Sequence, residues 1–149
     1  MARYSLANYT LTISIPTELA GDFGIETLTV GGEGSYLDNI SINLNDNLWS
    51  TEGDATGSWV HNKNLNRTGT CSVTLSMLSD NVARFITLCN LYYNSTNNYS
   101  GLTMALRSSD EKTIATCDDC YIQKIPNQEF QSTAQNQTWV FTCGKITFN

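Results

Sequence analysis

The residues best suited to chemistry in this sequence are the cysteines of "CDDC", Cys117 and Cys120. A Cys-x-x-Cys spacing serves structural zinc sites and dithiol redox centres. A tetrahedral zinc site needs four thiolate or imidazole ligands. The remaining donors are Cys71, Cys89, Cys143 and the single histidine, His61, and no second pair has knuckle spacing. The surrounding residues, "TIATCDDCYIQKIP", read as a strand, in which positions i and i+3 face opposite ways. The two sulfurs are therefore expected to diverge, and no glycine at Asp118–Asp119 eases a chelating turn. A redox dithiol is also disfavoured. Its attacking thiol gains thiolate character from a cation or a helix N-terminus, whereas here two aspartates intervene. The expectation is that the cysteines pack and that no metal or cofactor is bound.

Other candidate chemistry is weaker. A Ser-His-Asp arrangement would rest on His61, and no G-x-S-x-G elbow is present. The carboxylate pairs Asp118–Asp119, Asp110–Glu111 and Glu52–Asp54 read as solvated charges. The glycine run "VGGEGS" (residues 30–35) lacks the Lys-Ser/Thr and helix of a phosphate loop and reads as a turn. Asn-x-Ser/Thr triplets begin at Asn8, Asn39, Asn66, Asn94, Asn98 and Asn136. With no apolar signal-type segment at the N-terminus, these follow from the abundance of Asn, Ser and Thr rather than from glycosylation. Reduced thiols in a cytosol are the matching expectation for the five cysteines.

Bulk properties frame the elements that would hold such residues. The 149 residues suggest one domain, 1–149, large enough to bury about 70% of its unfolded surface. Only 15% of residues are charged, so Ser, Thr and Asn must make much of the surface. The net charge of −6 excludes a general nucleic-acid binder, which needs Lys and Arg to release counterions. No run approaches a membrane span.

Period-2 alternation recurs along the chain. Tyr9, Leu11, Ile13 and Ile15 alternate with Thr and Ser, as do Ile40, Ile42 and Leu44, and Cys71, Val73, Leu75 and Met77. These are strands with one buried and one wet face. "TWVFTCGKITF", "LTMALRS" and "TIATCDDCYIQKI" are further strands, the last two joined by a turn at Ser108–Lys112. One helix is expected over about 79–93, where Val82, Phe85, Ile86 and Cys89 recur at helical spacing behind a Ser79 or Asp80 cap. Residues 45–68 form a long connection with little periodicity. A loop of that length is usually functional or disordered, and Trp49 and Trp59 speak against disorder. It either packs on a partner or folds back as a hairpin with Trp59 in the core.

The order of these pieces resembles the tail tube proteins of contractile-tailed bacteriophages. The resemblance runs from about Asp38 to Ile146. It is carried by the loop "STEGDATGSW", the strand start "NRTGT" (Asn66–Thr70), the helix, and the run "IQKIPNQEF" (Ile122–Phe130). It implies a mainly β subunit, an antiparallel β-sandwich or barrel-like unit with one flanking helix and a long loop. It also implies a non-enzymatic virion component. Six subunits would make a ring, and rings would stack into a tube inside a sheath. The tape-measure protein and DNA would be lumen contents without specific binding, and nothing would insert in a membrane. On that reading Ser41, Asn43, Ser72, Thr74, Ser76, Asp118 and Asp119 are candidates to line the lumen. Trp49, Glu52, Asp54 and Trp59 are candidate contacts between rings or subunits. An acidic chain suits a lumen that DNA crosses without binding. The alternative class is a monomeric glycan- or ligand-binding β-sandwich using Trp49, Trp59 or Tyr92–Tyr93 as stacking platforms.

Overall fold

The computed structural model describes residues 2–149. Among these residues nine strands and two α-helices follow one another. Strand β1 (Tyr9–Ser14) leads into helix α1 (Thr17–Phe23) and strand β2 (Thr27–Val30). Strand β3 (Leu37–Leu44), a hairpin of β4 (Trp49–Gly53) and β5 (Trp59–Lys63), and β6 (Gly69–Ser76) follow. Helix α2 (Asp80–Asn94) then precedes β7 (Leu102–Ser108), β8 (Thr113–Ile122) and β9 (Asn136–Phe148). Seven strands form one curled antiparallel sheet in the order β2-β1-β7-β8-β9-β6-β3, and β4–β5 stands apart from it.

Alternation decides which face is buried. On β6, Cys71, Val73 and Leu75 are buried while Thr70, Ser72, Thr74 and Ser76 are half-buried on the other side. On β9, Trp139, Phe141 and Cys143 are buried. Helix α2 covers this apolar face. Its start is capped by the Ser79 hydroxyl, which accepts from the Asn81 N–H at 3.3 Å. Val82, Phe85, Leu88 and Cys89 then fall on one stripe and are buried. The Phe85 ring lies 5.4 Å from Trp139 and 5.6 Å from Phe141, the latter edge-on at 80°, a favoured aromatic arrangement.

The sheet is single and curled, a half-barrel, which bears out the barrel-like form of the expectation and leaves β2 and β3 as its edge strands. The structure departs from the sequence expectation in three places. A second helix, α1, occupies the segment before β2. Pro16 opens it, Leu19 and Ala20 are buried, and it ends at Gly24, whose φ of 84° closes the last turn. Residues 45–68 are mostly the β4–β5 hairpin rather than a loop. Trp59 is 68% exposed there, so the hairpin forms without burying its tryptophan.

The third departure concerns Cys117 and Cys120, which share one buried face, at 1% and 0% exposure. Opposite β7, Leu102 pairs with Cys120 and Met104 with Cys117, so Asp118 and Asp119 together face Thr103. This is a β-bulge. Asp119 supplies it without glycine by taking φ 55° itself, a conformation that Asp tolerates better than most residues. The extra residue resets the alternation and turns the second sulfur inward. Two neighbouring glycines make room. A Cβ on Gly101 would lie 2.8 Å from the Asp119 Cα, and one on Gly144 would lie 3.3 Å from the Asp119 Cβ. Gly101→Ala should therefore destabilise the subunit by about 1–3 kcal/mol through overpacking, with Gly144→Ala milder. Thermal melts of the two variants check the order.

Candidate functional site

The bulge gathers four of the five cysteines. Cys120 is the direct register partner of Cys143 on β9, and Cys71 on β6 faces the same core. The Cys117 thiol is within hydrogen-bonding reach of Cys120, Cys143 and Cys71. Those three contacts hold Cys117 down. Cys71 and Cys120 are pushed up, first by their hydrogen bonds to Cys117 and then by burial. Cys143 is pushed up to about 12, with the Cys117 contact again the leading cause. Cys89, apart from the cluster, is raised to about 11 by burial. All five thiols are free and buried. Among the described residues no three His, Cys, Asp or Glu side chains stand where they could hold a metal ion. The four thiols that are pushed up stay protonated and pack as small apolar groups.

The remaining sequence candidates are dispersed. His61 lies on the hairpin, where its Nδ1 is 2.8 Å from the Thr51 hydroxyl. No serine–histidine–aspartate geometry surrounds it among the described residues. Tyr92 is part of an edge-on cluster with Tyr99 and Tyr121. Tyr99 donates to Asp22 at 2.7 Å and Tyr121 donates to the Tyr99 carbonyl at 2.8 Å. These tie the 95–101 loop to α1 and β8; Tyr92 is half-buried and lines two shallow surface pockets, and Tyr93 is exposed.

Two surfaces stand out instead. The first is the sheet face turned away from the helices. Thr29, Thr12, Ala105, Thr116 and Thr147 are successive partners across β2, β1, β7, β8 and β9. Asn43, Thr70 and Thr142 form a second row, Ser41, Ser72 and Val140 a third, and Asn39, Thr74 and Thr138 a fourth. The Thr74 and Thr138 hydroxyls meet at 3.1 Å. Ser41, Asn43, Ser72, Thr74 and Ser76 are thus brought together as the alternation predicts. Asp118 joins them opposite Lys145. Asp119 occupies the bulge itself.

The second surface is the β4–β5 arm, every residue of which is exposed. Trp49 pairs with Lys63, Thr51 with His61, and Gly53 with Trp59, so both tryptophans lie on one face of the arm. The Lys63 ammonium is 5.5 Å from the Trp49 ring centroid, a cation–π distance. Glu52 lies on the opposite face, beside Val60. Asp54 builds the tip, accepting from the Thr56 hydroxyl at 2.7 Å and from the Thr56 and Ser58 N–H groups at 2.9 and 3.0 Å. These bonds, the Thr56 hydroxyl first, hold its carboxyl below the ordinary value. At the arm's base lies a groove of about 310 Å³ lined by Leu44, Leu48, Leu65, Ile146 and Phe148. Sequence reasoning missed it, because Ile146 and Phe148 come from the chain's far end.

An exposed arm and a hydroxyl face are the two surfaces the described residues present. The family comparison decides what kind of protein carries them. All 149 residues match the model of the bacteriophage PhiTE tail tube protein. The chain belongs to that tail tube family. It is therefore a structural component of a phage particle, and the match extends the resemblance through residues 1–37.

Solved structures agree on the fold of this tail tube protein. A tube terminating cap of the anti-feeding prophage has a TM-score of 0.53 at 9% identity, covering 100% of this chain and 92% of that one. The sheath–tube complex of PVC, an extracellular contractile injection system, gives 0.54 at 9%, covering 99% and 91%. The sheath/tube terminator of the same system gives 0.54 at 8%, covering 100% and 98%. No curated protein matches. Among the described residues no helix is long and apolar enough to cross a membrane.

Proposed function

We propose that this tail tube protein is the repeating unit of a phage inner tail tube. Six copies close into a ring, rings stack, and the sheet face away from the helices lines the channel through which DNA is ejected. The tape-measure protein occupies the channel before DNA. A sheath surrounds the tube, and assembly takes place in the host cytoplasm. The observation that carries this reading is the incompleteness of the lone subunit. It has two unpaired sheet edges, β2 and β3, and an arm with no buried residue. Open edges invite pairing with another chain, and an interface between unlike patches closes into rings or extends into filaments. A solved sheath–tube complex of the same fold supports the sheath as a partner.

No catalytic residue enters this account. Ser41, Asn43, Ser72, Thr74, Ser76 and Asp118 line the channel, with Asp119 at its bulge. Trp49, Glu52, Asp54 and Trp59 contact a neighbouring subunit or ring. Electron microscopy of the purified protein tests the reading. Rings of six or hollow tubes are expected. A species that stays monomeric at high concentration would refute it.

A further inference from the structure

The chain's acidity does not reside on the hydroxyl face. Twelve of its 14 acidic residues lie on helices, turns, loops, the arm or the β3 bulge; the other two are Asp118 and Asp119. Asp118 stands directly opposite Lys145, so those charges cancel. Arg107, opposite Thr10 on β1, lies on the same face and offsets Asp119 in the formal count. The rest of the face is mostly Thr, Ser and Asn in cross-strand rows, interrupted by Ala105, Val140 and Tyr121. Like-charge repulsion was the sequence-based account of why DNA would not stick. The side chains place the repelling charge elsewhere.

We infer that the channel surface is a charge-neutral hydroxyl lining, over which duplex DNA moves on a layer of bound water with neither attraction nor repulsion. This rests on the reading that the face lines the channel. Phosphate affinity comes from Lys and Arg displacing counterions, and a face whose charges cancel offers no such drive. Hydroxyls hold water by hydrogen bonds that cost little to exchange, which favours sliding. The non-sticking property would then come from neutrality, with Asp118 needed only to balance Lys145 and not to repel DNA.

Assembled tubes and a fluorescent DNA duplex test this by co-sedimentation. Wild-type tubes should retain no duplex even at about 50 mM salt. Asp118→Asn/Lys145→Gln tubes, which lose the carboxylate but keep the face neutral, should also retain none. Retention by that double variant would show that acid repulsion was at work and would overturn the inference, as would retention by the wild type. Thr142→Lys tubes should retain duplex at low salt. A ring of six lysines should lose about a thousandfold in affinity between about 50 and 200 mM salt. If Thr142→Lys does not assemble, Ser41→Lys, exposed on the edge strand, makes the same test. A lysine variant that assembles and never retains duplex also overturns the inference. Ser72→Cys tubes labelled with a maleimide–gold probe separate the two failures. Label on the outer wall refutes the channel assignment itself, whereas label in the bore alongside wild-type retention refutes only neutrality.

Discussion

Deleting residues 47–56 should leave a folded subunit that no longer builds tubes. The segment carries β4 and most of the arm's tip, and none of its residues is buried. The arm is its own two-stranded sheet, tied to the main sheet only at its base, where the Asn45 N–H donates to the Thr68 carbonyl at 3.0 Å. An isolated hairpin contributes little stability by itself, so the melting temperature should fall by no more than a few degrees. Assembly should respond differently. Trp49 and Trp59 are the arm's large apolar groups, and exposed aromatics of this kind commonly anchor interfaces. Circular dichroism and negative-stain microscopy of the same sample separate the two effects. A folded variant that still forms normal tubes would remove the arm from the assembly interface.

Trp139→Ala should have the opposite signature, a loss of the fold itself. Trp139 is fully buried and is the largest side chain in the core. Its ring lies tilted against Phe85 of α2, so its removal opens a cavity where the helix meets the sheet. Truncating a buried tryptophan costs about 3–5 kcal/mol, a large share of the ~5–15 kcal/mol that holds a domain together. The melting temperature should drop by on the order of 10 °C. Trp139→Phe should cost less, because it keeps an aromatic ring and removes an indole N–H that has no hydrogen-bond partner. Equal melting temperatures for wild type and Trp139→Ala would contradict the packing described above.

The comparison of sequence with structure is clearest at particular elements. On β6, strict alternation from Thr70 to Ser76 put Cys71, Val73 and Leu75 in the core and the hydroxyls outside, and the sheet agrees. On α2, Ser79 and the 82-85-89 spacing located the helix to within about a residue, because capping and amphipathic periodicity are local properties. At residues 45–68 the same local logic was silent. A fully exposed hairpin has no buried face to write a period into the sequence, so its strands read as loop.

The "CDDC" motif shows where local reading fails. A period of two sends Cys117 and Cys120 to opposite faces, and that holds for any regular strand. The bulge breaks the period because Asp119 adopts a left-handed backbone beside Gly101 and Gly144, one on the neighbouring β7 side and one on β9. Those glycines are 18 residues before and 25 residues after it in the chain, so no local window contains the cause.

Sequence by itself determined the mainly β class, the α2 helix, the two-faced strands and the hydroxyl character of one face. These depend on side-chain type at fixed spacing along one segment. Only the tertiary structure decided that the sheet is single and curled with open edges, that four thiols converge in the core, and that most of the chain's negative charge lies off the hydroxyl face. Each of these depends on which strands become neighbours, and pairing between distant segments is set by the packing of the whole core.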